Sequence, residues 1–477
     1  MSKKIEKYYI TTTLPYVNAD PHIGFAAEII RADVLARYQR SLGNEVFFNT
    51  GTDEHGLKIC RKADEECLEK QKYVDKYAAQ FDRLKSTLNL SYNCFTRTTG
   101  EKHKKTAQEF WKKCDANGDI YKKNYKVKYC VGCELEKTDS ELVDGKCPEH
   151  PNAEIELIEE ENYFFRWSKY QKKLLKLYEN NSDFIVPKNR QKEIENFVST
   201  GLNDFSISRL KEKMPWGVSV PGDNEHVMYV WFDALVNYIS CLGWPDDEKK
   251  FNDFWPGVQV AGKDNLRQQT AMWQAMLISA GLPTSKQILI FGFITSDGQK
   301  MSKSIGNVIS PLELVEKYGT DATRYYLLAE LKPFEDSDFT FEKFEIKFNA
   351  DLANGLGNLV SRVSNMLEKN DINVDLKLNS DQELIKKFRD NLEKYKFNES
   401  IDVLWKKIRE SDEFLSKKTP WKLKDVDEVK KILEPIAQNI LNIGELLKVI
   451  LPKTGEKIVK QFSEKEIKKE ESLFPRI

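Results

Sequence analysis

Residues 8–42 read YYITTTLPYVNADPHIGFAAEIIRADVLARYQRSL. The beginning is strand-like and the end carries helical periodicity, so the turn Pro21–Phe25, "PHIGF", hands a strand over to a helix. A helix N-terminus offers unpaired N–H groups and the positive end of its dipole, which together favour a phosphate. His22 on such a turn can reach that phosphate, and Gly24 removes a Cβ that would block close approach. Phe25 cannot hydrogen-bond to it. Alone, the turn is a weak signal, because a histidine ahead of a helix also serves as a cap or a core residue.

Outward from that turn the pattern repeats. EVFFNTGTDEHG (45–56) reads as a second buried strand ending in a polar loop, so residues 1–117 suggest βα units and a parallel sheet. Over 118–226 the character changes to a Cys cluster, an aromatic stretch NYFFRWSKY and a Pro/Gly-punctuated run, which together resemble an insertion. The α/β pattern resumes over 227–320. After a linker at 321–345, residues 346–477 show only helical periodicity, as at Ile432, Leu433, Ile436, Ile440, Leu441 and Ile443. A chain of 477 residues is too long for one ordinary core, so several domains are expected.

With 40% hydrophobic and 31% charged residues, the composition is that of a soluble globular protein. The net charge of −1 argues against a uniformly basic face, so any nucleic-acid surface is local. No run of about 18 apolar residues suggests a membrane span, and MSKKIEKYYITTT lacks the apolar core of a signal peptide. A cytoplasmic protein with mostly free thiols is expected.

Among eight cysteines, Cys130 and Cys133 form C-x2-C, followed by Cys147 and His150 as C-x2-H. Two short chelating pairs across a loop are what a closed tetrahedral zinc site needs, and four protein ligands make it structural. A second loop, GQKMSKSIGN (298–307), places Lys300 and Lys303 around Met301 and Ser302. Two ammonium groups there suit a phosphate chain that gains charge during reaction. An isolated K-x-x-K reads equally as a solvated turn.

Together the motifs carry a resemblance. TTTLPYVNADPHIGF, NTGTDEHGLKI, YCVGC with CPEH, EENYFFRWSKY, YVWFDALVNYIS, AGKDNLRQQT and KMSKSIGNVISP occur in order over most of the chain. They resemble the class I aminoacyl-tRNA synthetases and, within them, the methionyl-tRNA synthetase family. The resemblance implies a doubly wound, Rossmann-like catalytic α/β domain with a zinc-binding insertion. It also implies an all-helical C-terminal anticodon-binding bundle, with 321–345 as a stem-contact region. The implied reaction activates methionine with ATP and Mg²⁺ and transfers it to the 2′-hydroxyl of the terminal adenosine of tRNA(Met). By resemblance, His22, Gly24, Lys300 and Lys303 are catalytic, and Glu28, Asp264 and Ser302 meet ATP. Asp53 takes the methionine ammonium, while Leu14, Tyr16, Trp231, Ala234, Tyr238 and Gln269 line the rest of the amino-acid pocket. Asn358 and Arg362, at i and i+4, would read the anticodon, with Trp421 stacking on one of its bases. The family's C-terminal dimerisation domain is not evident, so a monomer is expected.

Two positions depart from the family pattern. Phe25 replaces the second histidine of the HIGH signature, and Gln269 stands where a histidine is usual. An active enzyme is expected, since the other motifs are intact. The alternative is a non-catalytic tRNA-binding or regulatory paralogue.

Overall fold

A computed structural model describes residues 5–133, 135–137, 139–301 and 306–477. The chain runs through β1 (Lys7–Thr12), α1 (Ile23–Ser41), β2 (Glu45–Thr52), β3 (Cys94–Arg97), α2 (Glu101–Ala116), β4 (Ile185–Val186) and α3 (Val230–Ala234). It continues through β5 (Val258–Gly262), β6 (Gln287–Phe291), α4 (Thr320–Ala329), α5 (Asn358–Lys369), α6 (Phe397–Lys418) and α7 (Val426–Ile450), with shorter pieces between. No helix among the described residues is long and apolar enough to cross a membrane. The chain divides into two compact units. One takes residues up to 21, 43–83 and 92–291, and the other takes 22–42, 84–91 and 292–477.

The first unit is built on a six-stranded sheet in the order β3-β2-β1-β5-β6-β4, with every pair parallel. Parallel strands are buried on both faces, and the central residues Ile10, Phe48 and Val260 are accordingly at most 1% exposed. Strand order reverses at β1, with β2 on one side and β5 on the other. That switch point puts the carboxyl ends of three strands side by side, where doubly wound sheets bind ligands. Between β3 and β5 the chain inserts a long antiparallel pair, Ile120–Cys130 with Ile155–Phe165. Trp111 on α2 meets Phe232 on α3 at 5.2 Å, and Phe110 meets Trp273 at 5.5 Å, locking these helices into one aromatic core.

The second unit joins α1 to the helical C-terminal region. Its centre is an ion pair between Asp33 on α1 and Arg324 on α4, 2.8 Å apart with both side chains fully buried. Arg324 also donates to the backbone oxygens of Leu88 (3.0 Å) and Ile450 (2.8 Å). Asp33 accepts from Arg37 Nε (2.8 Å) and from Ser91 N and Oγ (2.7 and 2.6 Å). Burial alone would raise the Asp33 pKa. The Arg324 and Arg37 charges, with Ser91 and Arg37 hydrogen bonds, outweigh it and hold the carboxyl below its ordinary value. One carboxylate thus fastens α1, segment 84–91, α4 and the end of α7. Removing one partner of a buried pair strands the other charge. Arg324→Leu is expected to lower unfolding stability by about 3 kcal/mol, read as a lower urea midpoint with circular dichroism.

Candidate active site

In the second unit, His22 is the N-cap of α1, and its Nδ1 accepts from the Gly24 N–H at 3.0 Å. Accepting at Nδ1 places the proton of the neutral ring on Nε2, which is left to donate outward. Desolvation by the surrounding protein lowers the His22 pKa, although the side chain keeps an exposed face. A Cβ on Gly24 would lie 2.7 Å from His22 Cε1 and 2.9 Å from its Nδ1. The close approach that needs glycine is therefore that of the capping ring itself. The first turn of α1 carries no acidic residue, and Glu28 is buried one turn further on.

Met301 and Ile309 meet the same helix end. Ile23 N donates to Ile309 O at 3.0 Å, and Met301 Cε would lie 3.8 Å from a Cβ on Gly24. Lys300 is exposed, with its Nζ 5.5 Å from the Phe293 ring. It sits opposite Thr295 in a short hairpin whose turn residues Asp297 and Gly298 have φ of 52° and 74°, as a tight two-residue hairpin turn requires. Lys303 and Ser302 lie outside the described residues.

In the first unit, Leu14, Asp53 and Asp264 follow the carboxyl ends of β1, β2 and β5. Asp53 is 4% exposed, and its backbone pairs with Pro15 (2.9 Å) and Val17 (3.2 Å). Tyr16 donates its hydroxyl to His55 O. Tyr16 and Trp231 both pack on the small cluster of Tyr129, Tyr229 and Val230. Ala234 and Tyr238 are buried, and the Tyr238 ring lies 5.9 Å from Trp273. Asp264 is exposed, with its carboxylate folded over Gly262, where a Cβ would meet Oδ1 at 2.6 Å. Gln269 is 2% exposed and accepts from Gln259 Nε2 at 3.3 Å.

The four metal-ligand candidates converge. Donor atoms of Cys130, Cys133, Cys147 and His150 lie within 4.8 Å of one another. Cys133 Sγ is 3.4 Å from Cys147 Sγ and 3.2 Å from His150 Nδ1. Tetrahedral metal–sulfur bonds of about 2.3 Å require sulfurs about 3.8 Å apart, so the set is close to a coordination shell. A Cβ on Gly132 would collide with His150 Cγ at 2.5 Å, and its absence lets the ring lie over the first Cys pair. In the helical region Asn358 is exposed on α5, and Arg362 lies 5.3 Å from the Trp421 ring. Trp421 is 50% exposed, which excludes a role as a buried anchor between helices. Arg362 is also paired with Asp412 at 2.6 Å, a partner that the sequence reading omits.

The sequence profile of the family described as "tRNA synthetases class I (M)" matches residues 8–156 and 152–364. A methionine–tRNA ligase of Nostoc sp. is 40% identical over 97% of this chain and 91% of its own length. One from Thermotoga maritima is 39% identical over 98% of this chain and 77% of its own. The chain belongs to the class I methionyl-tRNA synthetases. The Mycobacterium tuberculosis methionyl-tRNA synthetase, solved in complex with methionyl-adenylate, superposes with a TM-score of 0.92 at 34% identity, over 99% of this chain and 100% of that one.

For a methionyl-tRNA synthetase, sequence reasoning misses one buried group. Asp233 bonds both His55 and His103 within the first unit. The signal is a charged residue inside the apolar run VWFDALV, together with the histidine of GTDEHG; His103 carries none. The metal cluster yields a direct expectation: Cys147→Ser loses the bound metal by elemental analysis and lowers the thermal midpoint. Full metal occupancy in the variant would remove Cys147 from the ligand set.

Proposed function

We propose that this methionyl-tRNA synthetase forms methionyl-adenylate from methionine and ATP, then passes the methionyl group to the 2′-hydroxyl of the terminal adenosine of tRNA(Met). The observation that carries the chemistry is the α1 N-terminus. There a neutral His22 caps α1 through Nδ1 and leaves Nε2–H at the positive end of the helix dipole, with Ile309 hydrogen-bonded alongside to Ile23 N. ATP enters as its Mg²⁺ salt. The methionine carboxylate attacks the α-phosphate in line, and pyrophosphate leaves. His22, Gly24 and Lys300, with Lys303 and Ser302, hold the phosphates as charge redistributes. Glu28 and Asp264 serve the adenosine, Asp264 on the ribose side.

Asp53 takes the ammonium of methionine. Leu14, Tyr16, Trp231, Ala234, Tyr238 and Gln269 receive the rest, and aromatic walls suit a polarisable thioether. The 2′-hydroxyl then attacks the acyl carbonyl and releases AMP. The chain's work is positioning and charge stabilisation, without a covalent protein nucleophile.

The Cys130, Cys133, Cys147 and His150 set fits zinc. Three thiolates and one imidazole, with no fifth ligand among the described residues that could hold it, make a site that stiffens the 118–226 insertion. Residues 1–117 and 227–320 supply the catalytic domain, 321–345 the stem-contact region, and 346–477 the anticodon domain. In the last, Asn358 and Arg362 read bases, and the open face of Trp421 offers a stacking platform. The protein works in the cytoplasm.

Methionine-dependent exchange of pyrophosphate into ATP tests this reading. Exchange with the folded, zinc-loaded protein is expected; tRNA binding without exchange would establish the non-catalytic alternative instead. Trp421→Ala is expected to cut tRNA charging while leaving exchange unchanged, since one lost stacking platform is worth about 1–3 kcal/mol. An equal loss in both assays would make Trp421 structural.

A further inference from the structure

Two histidines and a carboxylate unused by the chemistry above meet inside the first unit. Asp233 on α3 is fully buried, with Oδ2 2.5 Å from His55 Nδ1 and Oδ1 2.7 Å from His103 Nε2. His103 comes from α2, and its Nδ1 lies 3.1 Å from Ser240 Oγ. Both histidines are 3% exposed. A buried carboxylate is tolerated only when its oxygens are satisfied, and here each oxygen is committed to one ring. Burial would raise the Asp233 pKa, but attraction to His55 and the hydrogen bonds from both rings win and hold it at about 2. The group is therefore ionised whenever the protein works.

What these three side chains are attached to gives the cluster its consequence. His55 follows Asp53 by two residues on the loop beyond β2, and its backbone oxygen accepts the Tyr16 hydroxyl. The neighbouring Glu54 oxygen accepts from Trp216 Nε1 at 2.6 Å, so this loop is tied from several sides. Asp233 lies between Trp231 and Ala234 in a single helical turn. The His55–Asp233 bond therefore joins the segment with the ammonium-binding carboxylate to the helix that forms the side-chain wall. His103 adds a tether to α2.

We propose that Asp233, through its bond to His55, is a positioning residue for the amino-acid substrate, fixing the separation between Asp53 and the Trp231–Ala234 wall. This rests on the assignment of those residues to methionine. Methionine is bound at both ends, so a change in that spacing misaligns one contact whenever the other is made. ATP has no share in the spacing, so the effect falls on one substrate.

The two histidines use different ring nitrogens, and this supplies the test. The amide nitrogen of asparagine overlies Nδ1 of histidine, and that of glutamine overlies Nε2. His55→Asn therefore keeps the bond to Asp233 and His55→Gln loses it; at His103 the order reverses. In pyrophosphate exchange, His55→Gln is expected to raise KM for methionine about tenfold, with KM for ATP within about twofold. His55→Asn is expected to stay within about threefold of the parent for both substrates. His103→Gln should then exceed His103→Asn in methionine affinity. If the two isosteres at His55 behave alike, or KM for ATP rises with that for methionine, the clamp is overturned. Should His55→Gln not fold, Asp233→Asn must show the same split, and an unchanged KM for methionine overturns the proposal. A parent protein without exchange overturns the methionine reading itself, an outcome separate from failure of the clamp.

Discussion

Parallel pairing of β2, β1 and β5 is the constraint on which the placement of Leu14, Asp53 and Asp264 depends. Parallel strands point the same way, so their connections leave from one edge. Where strand order reverses, the polypeptide leaves neighbouring strands in opposite directions and exposes that edge. Leu14, Asp53 and Asp264 hang from those three ends, and the backbone bonds of Asp53 to Pro15 and Val17 extend the pairing past β1 and β2. Backbone pairing sets the position of Asp53, which is nearly buried there.

The N-terminus of α1 rests on a different device. The positive end of the α1 dipole is held in place only if the helix stays put, and α1 is anchored from its middle by Asp33. Arg324 would be costly to bury alone, as would Asp33; paired, and sharing Ser91, Leu88 and Ile450, they satisfy each other. This explains why α1 belongs by contact to the helical unit although it follows β1 in sequence. His22 divides its two nitrogens in the same economical way, one capping the helix and the other facing out.

Features made by near neighbours in sequence are legible from sequence. The strand, turn and helix around PHIGF, the parallel sheet and the C-x2-C/C-x2-H cluster all follow from local spacing, and the structure bears them out. Legibility ends where pairing is distant. The Asp233 bonds span 178 and 130 residues, and those of Asp33 with Arg324 and Arg362 with Asp412 join separate helices. Sequence periodicity reports which face of an element is apolar, but not which buried charge answers another. The exposure of Trp421 belongs to the same class, since a tryptophan after a helix is equally suited to a core.

The two departures from the family pattern can be weighed on geometry. Gln269 is one member of a buried ring of amides and a hydroxyl. Gln259 donates to its side-chain oxygen, Gln274 donates to its backbone oxygen and to Ser285 Oγ, and Ser285 donates back to Gln274 and Gln259. The Gln269 side chain enters this network as an acceptor through its carbonyl oxygen. Phe25 is half-buried in the first turn of α1, beyond the cap that His22 already supplies. Gly24 N–H orients the remaining histidine without a side chain from position 25. Both substitutions remove an ionisable ring: at 269 the amide still accepts a hydrogen bond, and at 25 the helix cap is already supplied by His22.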